Sequence, residues 1–84
     1  MIEPSEIESL LKMTFPDGQF VINDLTGTRD HYEAVVVSGL FEHKALVEQH
    51  RLVYAALGEA MRERIHALAL KTYTPDAWAR VKTA

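Results

Sequence analysis

The stretch Arg64-Ile65-His66-Ala67-Leu68-Ala69-Leu70-Lys71-Thr72-Tyr73-Thr74-Pro75 decides the fold. From Ile65 to Thr72 it predicts a strand, with a histidine almost at its start. The strand runs straight into a helix start: Thr74 is placed to cap, Pro75 occupies the first helical position, and Asp76 complements the helix dipole. Trp78 and Val81 are expected to anchor this last helix to the body.

Upstream, Lys44 to Leu57 predicts a helix with Leu46, Val53, Leu57 and Met61 as its apolar stripe. Gly58 ends or kinks it, and a further turn carries Glu59 to Arg64. Gly39-Leu40-Phe41 breaks the preceding strand, His31 to Ser38, whose Tyr32, Ala34 and Val36 face one way and Val35 and Val37 the other. A strand apolar on both faces belongs in the middle of a sheet. Gln19 to Leu25 predicts its hairpin partner across Thr26-Gly27-Thr28-Arg29-Asp30, with Gly27 supplying the unusual backbone angles. Before Phe15-Pro16-Asp17-Gly18 lies a short helix, Glu3 to Met13, with Ile7, Leu10 and Leu11 on one face. It starts either through a Ser5–Glu8 capping box or with Pro4 as its first residue. A short hairpin pairs antiparallel, and a strand–helix–strand crossover pairs parallel. The expected fold is therefore α+β, in the order α-β-β-α-β-α, with a three-stranded mixed sheet.

The 84 residues make one domain, 1–84, with a small core. Without cysteine the chain has no disulfide, thiol nucleophile or thiolate ligand. No run is long enough to span a bilayer, and Met1-Ile2-Glu3-Pro4 does not resemble a signal peptide, so a cytoplasmic protein is expected. The net charge of −3 is unevenly spread. Residues 1–43 carry two basic groups against eight acids, and residues 44–84 carry seven against four. That balance opposes strong general nucleic-acid binding while leaving room for a basic face.

Of the four histidines His31, His43, His50 and His66, none are spaced i, i+3 or i, i+4, so no local helical metal site is expected. A nonlocal pair is. His31 enters the second strand and His66 begins the third; if those strands are parallel neighbours, both rings open onto one edge of the sheet. Two imidazoles are half of a tetrahedral site, and a partner must supply the rest. Each also has a plain reading: His66 as a hydrogen-bonded strand residue, His31 as a solvated loop end. His50 is expected to make a structural hydrogen bond, and His43 to be a surface residue or cap.

Gly39-Leu40-Phe41, Gln49-His50-Arg51-Leu52-Val53-Tyr54, Ile65-His66-Ala67-Leu68, Tyr73-Thr74-Pro75 and Trp78, in this order and spacing, resemble the BolA family. The resemblance implies a fold similar to the type II KH domain. It further implies a non-enzymatic iron–sulfur adaptor that pairs with a monothiol glutaredoxin and shares a [2Fe-2S] cluster. His66 matches the principal ligand, and His31 matches the second, loop-borne ligand in its histidine form. The glutaredoxin cysteine and a glutathione thiolate complete the set. His31, ending a glycine-containing loop, is expected to be the more adjustable of the two.

BolA-like proteins are also linked to DNA binding and transcriptional control, the runner-up function. Arg62, Arg64, Lys71, Arg80 and Lys82 are the residues that would carry it, or else form an ordinary solvated basic face. The chain lacks the GxxG loop of nucleic-acid-binding KH domains. Tyr32, Tyr54 and Tyr73 could stack bases, although such residues more often serve sheet and helix packing, and the Asp24–Asp30 acid pair reads as loop solvation. No nucleophile–base pair or cofactor motif points to an enzyme. A weak homodimer is left open.

Overall fold

The structure, a computed structural model, describes residues 2–65 and 67–83. Helix α1 (Pro4–Thr14) begins with Pro4, and Glu3 precedes it without a side-chain cap, so the capping box does not form. Ile7 and Leu11 are buried on one face, as the spacing requires. The turn after α1 needs Gly18, because a Cβ there would lie 2.5 Å from the Phe20 ring and 2.9 Å from the Phe15 carbonyl oxygen.

Strands β1 (Gln19–Asp24), β2 (His31–Val37) and β3 (Ala67–Tyr73) form a sheet in that spatial order. β1 and β2 are antiparallel, with Phe20 opposite Val36 and Ile22 opposite Ala34. β2 and β3 are parallel, with His31 opposite Ala67 and Ala34 opposite Leu70. Tyr32 and Val36, flanked by Phe20, Ile22, Leu68 and Leu70, turn one face of the sheet toward Ile7 and Leu11 of α1. Helix α2 (Leu46–Leu57) adds Val53 and Leu57 to this core. Val35 and Val37 are buried as well, so the middle strand is covered on both faces.

A 3₁₀ turn, Gly39–Phe41, follows β2, and α3 (Glu59–Glu63) follows α2 after Gly58, whose φ of 53° and ψ of −127° turn the chain between the two helices. Helix α4 (Pro75–Thr83) closes the fold. Thr74 Oγ1 accepts the Ala77 N–H at 3.2 Å, the expected cap.

Four details differ from expectation. Ile65 does not open the third strand: its side chain is buried and its N–H donates to the Ala60 carbonyl at 2.8 Å, completing the end of α3. Leu46 is 62% exposed. Burial on α2 starts only at Gln49, whose polar bonds tether the first turn where packing was expected. Val81 is 47% exposed, because α4 leans on β3 through its first turn, where Trp78 meets Tyr73 at 5.3 Å between ring centroids. Finally, Gln49 rather than His50 supplies the structural hydrogen bonds of its segment, and among the described residues the His50 ring makes none.

Candidate functional site

The parallel pairing of β2 and β3 brings the starts of both strands to one edge. His31 opens β2 opposite Ala67, and the Ala67 N–H donates to the Asp30 carbonyl at 3.0 Å. On the other side, the Leu25 N–H donates to the His31 carbonyl at 2.8 Å, so the backbone at His31 is held from two directions. His66, the principal candidate from sequence, lies outside the described residues; its chain neighbours are the buried Ile65 and the strand residue Ala67.

The loop that delivers His31 is tied down from within. One oxygen of the Asp24 carboxylate accepts the N–H groups of Thr26 and Gly27, at 3.3 and 3.0 Å, and the other accepts that of Arg29 at 3.0 Å. Both Gly27 (φ 77°) and Arg29 (φ 63°) adopt left-handed backbone, unfavourable for arginine unless its surroundings impose it. They do: Ile2 donates its N–H to the Arg29 carbonyl at 3.0 Å, and Arg29 reaches Glu3 at 2.6 Å. The fully buried Tyr32 donates its hydroxyl to the Ile2 carbonyl. Burial, then the nearby Asp24 and Glu3 charges, pushes this phenol up. These bonds tie the loop to the start of the chain. Asp24 and Asp30 serve as acceptors for backbone and side-chain groups of the loop.

His31 itself is a little over one third exposed at its side chain. Its Nδ1 lies 2.9 Å from Asp30 Oδ1, and the same carboxylate oxygen accepts the Thr28 hydroxyl. Sequence reasoning placed Arg29 and Asp30 in the loop without an individual role at this site and passed over Ile2; only the adjacency Asp30-His31 was a signal. Among the described residues, no group of three or more His, Asp or Glu side chains is arranged to hold a metal. Of the other two histidines, His43 is exposed with φ of 63°, and His50 sits on α2.

Three of the five basic candidates meet acids. Arg64 makes a bidentate ion pair with Glu6 of α1, at 2.9 and 3.1 Å. The bond holds the Glu6 carboxyl below its usual range and pushes the Arg64 guanidinium up. Arg62 lies 3.5 Å from Glu59, and Arg80 2.8 Å from Asp76, both exposed pairs. Lys71, on β3, and Lys82, on α4, are exposed. Tyr73 packs on Trp78, Tyr32 is buried, and Tyr54 is 41% exposed. Among the described residues, no helix is long and apolar enough to cross a membrane.

Comparison with known proteins bears on this arrangement. A family model described as BolA-like protein matches residues 11–77. A solved BolA homologue from Coxiella burnetii is 39% identical, with a TM-score of 0.76, covering 95% of this chain and 100% of its own. A Bol-like protein from Babesia bovis is 30% identical with a TM-score of 0.84, covering 98% of this chain and 95% of its own. The DNA-binding transcriptional regulator BolA of Escherichia coli is 36% identical over 62 residues, which span 74% of this chain and only 59% of the regulator. Because the family match runs from the second half of α1 through all three strands into the first turn of α4, the chain belongs to the BolA family.

Proposed function

We propose that this chain is a non-enzymatic iron–sulfur adaptor that offers His31 and His66 to a monothiol glutaredoxin, with the glutaredoxin cysteine and a glutathione thiolate completing the site of a shared [2Fe-2S] cluster. One observation supports it above others: parallel β2 and β3 begin together, with His31 opposite Ala67, the residue after His66. The donor chemistry fits such a shared site. A chain without cysteine contributes imidazole nitrogen and no thiolate, so its donors suit a centre finished by a partner. When bound, the cluster would supply one-electron redox chemistry and a transferable unit, at a potential raised by imidazole in place of thiolate. The chain's own part is to position the segments that carry the two histidines. Asp24, Ile2 and Tyr32 fix the loop that carries His31, while Ile65 and Ala67 are set by α3 and by β2.

Visible circular dichroism of the chain mixed with a cluster-loaded monothiol glutaredoxin tests this reading. The wild-type chain is expected to change the spectrum. His66→Ala is expected to abolish that change with its far-ultraviolet spectrum intact, and His31→Ala to leave a weaker, shorter-lived signal. A wild-type spectrum and lifetime for His66→Ala would remove it as a ligand. Purified alone, the chain is expected to be colourless.

The Escherichia coli relative, a DNA-binding transcriptional regulator, favours a second reading, DNA-bound regulation. With Arg62, Arg64 and Arg80 already facing acids, DNA binding is expected to be weak, with a shallow salt dependence at about −0.9 in slope per phosphate neutralised. Tight sequence-specific binding lost in Lys71→Ala would reverse the order of the two readings.

A further inference from the structure

We propose that Asp30 is a positioning residue that presets the tautomer of His31, placing the proton on Nδ1 and the lone pair on Nε2. An ionised carboxylate only accepts hydrogen bonds. With Asp30 Oδ1 at 2.9 Å, His31 Nδ1 must therefore be the donor. In the neutral ring, only one nitrogen carries a proton, so Nε2 is left as the basic atom.

The carboxylate is itself built into place. Thr28 donates its hydroxyl to Asp30 Oδ1, and the Thr26 hydroxyl meets that of Thr28 in turn. The Asp30 carbonyl accepts the Ala67 N–H, so the residue that orients the ring is bonded to the start of β3. One residue thus sets the protonation pattern of His31 through its side chain and its register against β3 through its backbone. A carboxylate on the distal N–H is the usual companion of a metal-bound histidine; it fixes ring orientation and raises ligand basicity. The assignment concerns the metal-free chain. Its consequence, that Nε2 is the atom offered to a metal centre, rests on the adaptor reading.

Long-range ¹H–¹⁵N correlation of the ¹⁵N-labelled metal-free chain, at alkaline pH where imidazole is neutral, tests it directly. His31→Gln identifies the resonances. The wild-type chain is expected to show a pyrrole-type Nδ1 and a pyridine-type Nε2. Asp30→Ala is expected to lose that pattern, giving a reversed or averaged ring, and Asp30→Glu to recover part of it. A wild-type ring protonated at Nε2 overturns the proposal, even if Asp30→Ala fails to fold, and so does an unchanged pattern in a folded Asp30→Ala. The adaptor reading fails separately: if the tautomer is as proposed but the glutaredoxin spectra ignore His31→Ala, the Asp30 assignment stands and the ligand role falls.

Discussion

The two ends of β2 use the same device in different surroundings. At its C-terminal end, Asp17 accepts the Ser38 hydroxyl at 2.9 Å and the Gly39 N–H at 2.8 Å. At its N-terminal end, Asp24 accepts three loop N–H groups. At the Asp17 end Ser38 and Phe41 are buried, and Phe41 packs on Phe15 at 5.2 Å between ring centroids. Gln49 then ties the 3₁₀ turn to β3, donating to the Phe41 and Lys44 carbonyls while accepting the Thr72 hydroxyl at 2.6 Å. Around Asp24 the loop from Leu25 to Arg29 is exposed. A carboxylate bracket over buried groups makes scaffold; the same bracket over exposed ones keeps a loop in shape while leaving a side chain such as His31 within reach of a partner.

Three substitutions can break or sharpen this contrast. Phe41→Ala at the scaffold end removes a fully buried ring and is expected to cost about 3–5 kcal/mol, read as a fall in the midpoint of denaturant unfolding. A loss below about 1 kcal/mol would mean that this end is not the firmer one.

Asp17→Ala is expected to cost about 1–3 kcal/mol, because it leaves the buried Ser38 hydroxyl short of a partner. Its effect should also depend on pH. The Gly39 N–H, more than the Ser38 hydroxyl, holds the Asp17 carboxyl below the ordinary aspartate value of 3.8. A group lowered in the folded state stabilises above its unfolded value and loses that contribution as the pH falls through its folded value. The gap between wild type and Asp17→Ala should therefore be widest near neutrality and narrow as the pH falls below 3.8. Unfolding curves that stay equally far apart at both ends of this range would show that the carboxylate charge is not what acts.

The smallest loss belongs to the other end. Asp24→Ala is expected to cost about 0.5–1.5 kcal/mol, since water replaces the bonds it removes from an exposed loop. Amide exchange at Thr26, Gly27 and Arg29 should nevertheless accelerate strongly, with the core strand amides unchanged. If Asp24→Ala destabilised the protein as much as Phe41→Ala, the loop would have to be counted as part of the core.

Much of the fold was legible. The double-sided apolar run of β2, the turn residues at either side of β1, and Thr74-Pro75-Asp76 each act over a few neighbouring residues, so local physics identifies them. Leu46 and Val81 misled for the opposite reason: helical spacing says which side chains share a face, not how far along the helix the sheet extends. At the candidate site the edge location of His31 was legible from parallel topology, while its anchoring was not. Ile2 and Tyr32 are separated by 30 positions in sequence, and nothing in either local pattern announces the bond between them.

The sequence by itself determined the α+β order, the central place of β2, the absence of thiolate ligands and the resemblance that the family match then bore out. All of these follow from residue type and short-range periodicity. Only the tertiary structure decided that the loop before β2 is held, that three of the five basic candidates face acids, and that Asp30 rather than solvent meets His31 Nδ1. Two of those arginine pairs lie three or four residues apart on one helix, but whether such groups meet depends on which rotamers the packed neighbours allow. Arg64 with Glu6 and Ile2 with Arg29 and Tyr32 form only after the chain has closed.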